Sequence, residues 1–129
     1  MKEVTTMGLD LIISVQSDFG TDEQGRNTYK VTQLATLRNC WDTLNELDNR
    51  LDGEFSNCAT HTFYGETFHE ILKELQEELD ELSESVETSE YVKRKRNSRE
   101  YNIKKLKEFI ETNNVPNDDT QDYQVHAWW

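Results

Sequence analysis

The residues with the clearest chemical potential are the carboxylates of one segment, residues 66–90. Ten acidic residues stand there against a single base, Lys73, so the segment has a formal net charge of −9. If it is helical, its acids line one rod with a rise of about 1.5 Å per residue. Nucleic acid phosphates advance about 3.4 Å per step, so the rod imitates a polyanion. The candidate partner-binding residues are Glu70, Glu74, Glu77, Glu78, Glu81 and Glu84.

The following segment, residues 91–113, carries the opposite charge. Eight bases stand there against three acids, a formal net charge of +5. These bases can neutralise the acidic helix through ion pairs, or they can contact a phosphate backbone. We favour neutralisation, because nearby acids repel a bound nucleic acid and charge runs are usually solvated faces. The possible basic contacts are Lys93, Arg94, Lys95, Arg96 and Arg99.

Metal binding and catalysis find little support in the residue pattern. Cys58 and His61 have the spacing of a ligand pair, and Cys40 could join them. A structural zinc site needs four ligands, usually from two paired motifs, and the second pair is missing. The chain also lacks a phosphate-binding glycine loop, a nucleophile elbow and a His-Glu-x-x-His motif. We therefore predict a protein without metal or cofactor that is not an enzyme.

Composition favours a protein partner over nucleic acid. The 129 residues are expected to form a single domain, with 34% hydrophobic, 31% charged and 10% aromatic residues. The aromatic content argues against a wholly disordered chain. A net charge of −12 opposes binding to nucleic acid or anionic membranes and favours a basic partner.

A cytoplasmic location is the simplest expectation. No apolar run approaches the roughly 18 residues that a bilayer span needs, and the first residues lack the pattern of a signal peptide. Two cysteines are too few for a disulfide framework, so both thiols are expected to be reduced.

Two β-forming runs flank a loop rich in turn residues. We expect a first strand over residues 7–15, a loop over 17–27 and a second strand over 28–34, joined as a hairpin. The alternating residues 123–129 predict a third strand, and residues 54–65 read as irregular.

Three helices follow from apolar spacing. The first is predicted from an N-cap at Thr36 to Leu51, with Leu37, Leu44 and Leu47 on its apolar stripe. The second begins near residue 66 and has a heptad-like apolar pattern. The third is predicted over residues 89–112. The apolar pattern of the second helix consists of Phe68, Ile71, Leu72, Leu75, Leu79, Leu82 and Val86.

The run Met7-Gly8-Leu9-Asp10, followed by an apolar strand, resembles the start of a group of small bacteriophage proteins that open with Met-Gly-Leu-Asp. The segment Leu37-Arg38-Asn39-Cys40-Trp41 is loosely similar to a helix in some of them. The resemblance covers some ten to fifteen residues and carries no catalytic residue over to this chain. It implies phage origin and a host-cell cytoplasmic location. By analogy with small acidic phage proteins, it implies an anti-defence inhibitor, such as an anti-CRISPR protein.

These observations predict an α+β fold. A small antiparallel sheet packs on a helix within residues 1–64, a long coiled-coil-like antiparallel helix hairpin spans 65–113, and a linker with the last strand spans 114–129. The leading function is an inhibitor whose acidic helix blocks a host nucleic acid-binding protein. The alternatives are a coiled-coil homodimer with its seam at Leu72, Leu75, Leu79 and Leu82, and a nucleic acid-binding module that uses the basic residues. A membrane partner is not expected.

Overall fold

The computed structural model of the protein describes residues 8–84 and 89–129. Four strands form one antiparallel sheet and three helices accompany it, so the predicted α+β fold is confirmed. The elements in chain order are β1 (Asp10–Thr21), β2 (Asn27–Arg38), α1 (Trp41–Asn49), β3 (Thr60–Tyr64), α2 (Gly65–Glu84), α3 (Glu90–Thr112) and β4 (Asp122–Trp128).

The strand order across the sheet is β2-β1-β4-β3. The predicted strand near residue 123 is confirmed as β4, and it lies inside the sheet with β1 on one side and β3 on the other. β3 falls in the region predicted to be irregular, and that prediction was wrong. Phe63 is buried opposite Tyr123, which explains why this short segment pairs.

The first hairpin is longer than predicted, and the prediction of a loop over residues 17–27 was wrong. β1 continues to Thr21, β2 begins at Asn27, and a short turn at residues 22–26 joins them. The Asp22 carboxylate closes this turn, since its Oδ1 accepts hydrogen bonds from the backbone N–H groups of Gln24 and Arg26 at 3.0 and 2.8 Å. Turn-forming residues therefore occupy strand positions up to the turn itself.

Helix α1 begins later than predicted, and the N-cap at Thr36 was wrong. Thr36 lies in β2 opposite Ile12, and Leu37 is buried as a strand residue. The strand ends at Arg38, because the next residue, Asn39, has a φ of 58° that breaks the extended backbone. The side chain of Asn39 also accepts a hydrogen bond from Leu9 N–H at 3.0 Å, which holds the corner. The apolar residues of two consecutive elements, β2 and α1, thus have the spacing of one helix.

Helices α2 and α3 follow the predicted bounds closely. Ser89 is the N-cap of α3, and its hydroxyl accepts a hydrogen bond from Val92 N–H at 3.3 Å. Phe68 of α2, Phe109 of α3 and Tyr123 of β4 meet edge to face, with ring centroids 5.2 to 5.9 Å apart. This aromatic contact joins the two helices to the sheet. The predicted coiled-coil packing of the helix hairpin is not confirmed. Val86, the last residue of the predicted apolar pattern, lies outside the described residues. None of the described helices is long and apolar enough to span a membrane.

The sheet buries one face and leaves the other open. Leu11, Ile13 and Val125 point into the core and are at most 1% exposed. Because strand side chains alternate, Trp128 and Tyr64 lie on the opposite face, where they are 59% and 47% exposed. The helices therefore cover a single side of the sheet.

Replacing Gly65 by alanine should destabilise the fold by about 2–4 kcal/mol. Gly65 is buried where α2 begins, and an added Cβ would overlap the carbonyl oxygen of Pro116. Urea unfolding measures the loss. Gly8→Ala is the control, because its Cβ would meet Asn39 Oδ1 at an ordinary 3.7 Å. Equal stability of the two variants would contradict the proposed overlap.

Candidate functional site

Three of the predicted partner-binding acids lie on the solvent side of α2. Phe68, Ile71 and Leu75 are fully buried, and at 3.6 residues per turn the opposite side of the helix carries Glu70, Glu77 and Glu81. All three are exposed. Together they form what we call the acidic face. Glu84 is the last residue of the helix, and its side chain lies outside the described part of the chain.

Two further predicted acids, Glu74 and Glu78, are held by arginines within the chain. Arg50, just after α1, donates from Nη2 to Glu74 Oε1 at 3.0 Å and lies 3.7 Å from Glu70 Oε1. Arg99 of α3 contacts Glu78 Oε2 through Nη2 at 2.5 Å. The side chains of both arginines are mostly buried, with 24% and 18% exposure. Glu74 and Glu78 are therefore engaged in ion pairs within the chain, although both side chains remain partly exposed.

Arg99 joins all three helices. Its other terminal nitrogen, Nη1, lies 2.6 Å from Asp42 Oδ1 on α1, so one guanidinium bridges α1 and α2 from α3. Burial alone would lower the pKa of Arg99, but the hydrogen bond and charge of Asp42, with help from Glu78, raise it overall. The guanidinium consequently stays charged, and its ion pairs fix the position of α1 beneath the helix pair.

Glu46 of α1 shares a proton with Glu74. Burial, a hydrogen bond to Glu74 and the nearby negative charges raise the pKa of Glu46 to about 7. The hydrogen bond from Glu46 in turn lowers the pKa of Glu74, and Arg50 adds to this effect. Two carboxyl groups this close do not both ionise readily. Below about pH 7 the proton therefore resides on Glu46 and the charge on Glu74.

The predicted basic residues divide into two groups. Arg96 points inward and donates from Nη2 to the carbonyl oxygen of Leu82 at 3.0 Å, near the C-terminal end of α2, where a positive charge is favourable. Lys93, Arg94 and Lys95 are exposed. Within the described residues, Arg99 makes the one ion pair between α2 and α3, so the predicted neutralisation of one helix by the other is limited to that contact.

A shallow groove of about 420 Å³ separates α1 from the start of α3. One wall is acidic and the other basic, and Lys95 Nζ lies 5.1 Å from the ring centroid of Tyr91 at its rim. Such a groove is polar and open, unlike the apolar cavities that enclose small ligands. Its lining residues are Asp42, Asn45, Glu46, Tyr91, Arg94, Lys95, Ser98 and Arg99.

The residues considered for zinc are not assembled. Cys40 is buried, and this burial raises the pKa of its thiol to about 12, whereas Cys58 is exposed. His61 packs edge to face on Phe55 with ring centroids 4.7 Å apart. Across residues 8–84 and 89–129, no three histidine, cysteine or acidic side chains form a group that could hold a metal ion.

The charged residues of α1 and its C-cap that organise the acids of α2 were not predicted from the sequence. Asp42, Glu46 and Arg50 recur every four residues and therefore share one helix face. That spacing could have indicated a charged face of α1 that pairs with the acidic helix α2 and the basic helix α3. The prediction of this helix rested on its apolar stripe alone, which carries no information about the charged face.

Comparison of the chain with protein-family models, curated proteins and solved structures found no significant match.

We predict that Glu46→Gln makes the stability of the protein less dependent on pH. The raised pKa of Glu46 means that the folded chain binds more protons than the unfolded chain between about pH 5 and 7. The unfolding free energy of the wild type should therefore fall as the pH rises from 5 to 8. Glutamine cannot ionise but can still donate to Glu74, so the variant should be more stable than the wild type at pH 8, by roughly 1 kcal/mol.

Thermal unfolding at a series of pH values measures this dependence. Glu77→Gln is the matched control, because Glu77 lies on the exposed acidic face. A wild-type pH profile that Glu46→Gln leaves unchanged would exclude the shared proton.

Proposed function

We propose that this chain is a non-enzymatic inhibitor that binds a basic, nucleic acid-binding surface of another protein through the acidic face of α2. The observation that carries the proposal is that some acids of α2 are held within the chain while others are exposed to solvent. Arg50 and Arg99 hold Glu74 and Glu78, while Glu77 and Glu81 are exposed on the solvent side together with Glu70, which also lies 3.7 Å from Arg50.

The geometry of the acidic face supports this role. Glu77 and Glu81 are one helical turn apart, and Glu70 lies two turns before Glu77, so the face extends over about 16 Å. A rigid helix holds these charges in place, which reduces the entropy lost when a partner binds. The basic patches of nucleic acid-binding proteins offer a complementary charge, and such complementarity accelerates association and sets specificity.

The leucine seam of the alternative homodimer is partly used within the chain. Leu75 is fully buried, and Leu72 packs against the same core. Leu79 and Leu82, farther along α2, are half-buried. A coiled coil between two copies would have to compete with these internal contacts, which favours the inhibitor over the assembly protein.

Reversing the acidic face should abolish partner binding. In the variant Glu70→Lys/Glu77→Lys/Glu81→Lys, three positive charges replace three negative ones and repel a basic surface. Because all three side chains are exposed, the helical circular dichroism should persist. The readout is affinity capture from nuclease-treated bacterial lysate. Proteins retained by the wild type should be lost by the variant, by roughly tenfold or more.

The control reverses three exposed acids elsewhere, Glu54→Lys, Glu111→Lys and Asp119→Lys, which gives the same net charge. If binding depends on where the charges lie and not on the net charge, this control should retain the captured proteins. An unchanged set of captured proteins with the α2 variant would refute the acidic face as the binding surface.

Nucleic acid binding through α3 is the second candidate function, because its basic residues stay available. Arg94 and Lys95 are exposed, and within the described residues neither makes an ion pair. Both line the groove beside α1, although Lys95 also lines a second pocket with Glu81 of the acidic face. A phosphate backbone could therefore approach α3 without passing over α2.

This candidate predicts a measurable salt dependence. Fluorescence anisotropy with labelled single-stranded and double-stranded DNA should give an affinity that falls with salt, with a log–log slope of about −0.9 per phosphate contacted on duplex DNA. Lys93→Glu/Arg94→Glu/Lys95→Glu should flatten this slope, while the control Lys104→Glu/Lys107→Glu should not. Absence of binding at low salt would eliminate the candidate.

A further inference from the structure

A pocket opens on the uncovered face of the sheet, at the point where β1 and β4 separate. β4 pairs with β1 only as far as Ser14, which lies opposite Gln124. Beyond that pair the two strands are no longer hydrogen-bonded, and a pocket of about 270 Å³ lies between Gln16 of β1 and Asp122 of β4. Tyr29 of β2 and Gln124 complete its lining. The early end of the β1–β4 pairing therefore creates this pocket.

The pocket combines a free carboxylate with exposed aromatic rings. Its lining, drawn from the described residues, holds one charged side chain, Asp122, and no basic one. Within the same residues the Asp122 carboxylate has no ion-pair or hydrogen-bond partner. Tyr29 is 55% exposed, and Tyr64, which lies directly opposite Asp122 on the same face of the sheet, is 47% exposed. A carboxylate placed among aromatic rings attracts organic cations.

The side chain of Gln124 has an unused hydrogen-bond acceptor beside this carboxylate. Its Oε1 is buried and has no hydrogen-bond partner among residues 8–84 and 89–129. Buried polar atoms without a partner are uncommon in folded proteins. Because no hydrogen bond holds the amide, it can turn its oxygen toward a donor in the pocket. Asp122 and Gln124 are two residues apart on one strand and share one face, so both can accept from the same ligand.

An arginine side chain matches these groups better than other classes of ligand. Anions are repelled by Asp122 and by the net charge of −12. An apolar ligand would bury the carboxylate and the amide without partners. A guanidinium is a planar cation with five N–H donors, so it can donate to Asp122 and Gln124 while it stacks on Tyr29. A lysine ammonium is a compact point charge that cannot stack in this way.

We propose that this pocket binds the guanidinium group of an arginine side chain that a protein partner presents. Asp122 and Gln124 accept its hydrogen bonds, and Tyr29 packs on its plane. The pocket is open and therefore suits the end of a side chain delivered by a partner, not an enclosed small molecule. The inference does not rest on the proposed function, because α2 packs on the other face of the sheet. The chain thus has a second, separate interaction surface.

Heteronuclear NMR of the isotope-labelled full chain, titrated with N-acetylarginine methylamide, tests the proposal. Saturable shifts should appear at the four lining residues and at the side-chain amide of Gln124, with a Kd of about 1–10 mM for this isolated group. The citrulline analogue has the same shape without the charge and should give no saturable shift. Asp122→Asn should weaken binding by roughly tenfold or more. Because Asp122 is exposed the fold should persist, and Tyr29→Val serves as a second variant should the first not fold.

Asp10→Asn is the matched control, since it removes the same charge from the same face of the sheet. Asp10 lies 3.6 Å from Arg38 and does not line the pocket, so this variant should bind as the wild type does. The absence of a saturable shift overturns the proposal, as does equal binding of the citrulline or lysine analogue or an equal loss in Asp10→Asn. Shifts confined to the acidic face of α2 also overturn it, while they leave the proposed function standing.

Discussion

The arrangement of the helices depends on one buried side chain, Asn102 of α3. Its Oδ1 accepts hydrogen bonds from the backbone N–H and the hydroxyl of Thr43, at 3.0 and 2.8 Å. Cys40, the N-cap of α1, provides no side-chain hydrogen bond of its own, so Asn102 satisfies a donor in the first turn of α1 from another helix. A buried amide that lost these partners would cost about 1–3 kcal/mol. Because α1 is anchored in this way, Asp42 is positioned to pair with Arg99, and Arg50 is positioned to pair with Glu74. The acidic face lies on the solvent side of this network.

Much of the fold could be predicted from local patterns. The apolar spacing of α2 and the serine before α3 define both helices, since each signal involves residues within one or two turns. The errors arose where the decisive contacts are distant in sequence. Thr36 belongs to β2 because Ile12 lies beside it, and β3 exists because β4 pairs with it. Neither partner is visible in a window of neighbouring residues.

The candidate site was predictable only in part, for the same reason. The charge of α2 identified the acids, and its apolar period separated Glu77 and Glu81 from the core. Only the tertiary structure shows that Arg50 and Arg99 hold Glu74 and Glu78, because these arginines lie 24 and 21 residues from their partners in the chain. The strong negative charge of the segment is thus reduced from within, and the density of carboxylates offered to a partner is lower than the sequence alone implies.

The central position of β4 constrains the order in which the chain can fold. β3 hydrogen-bonds to β4 and to no other strand within the described residues, although β3 precedes β4 by more than fifty residues. The β1–β2 hairpin can form early from nearby residues. β3 can join the sheet only after β4, the distant segment, has paired with β1. Closing so large a loop is entropically costly and slows folding. Until β4 arrives, the inner edge of β1 stays unpaired, and a partly made chain is expected to be more prone to aggregation than the finished one.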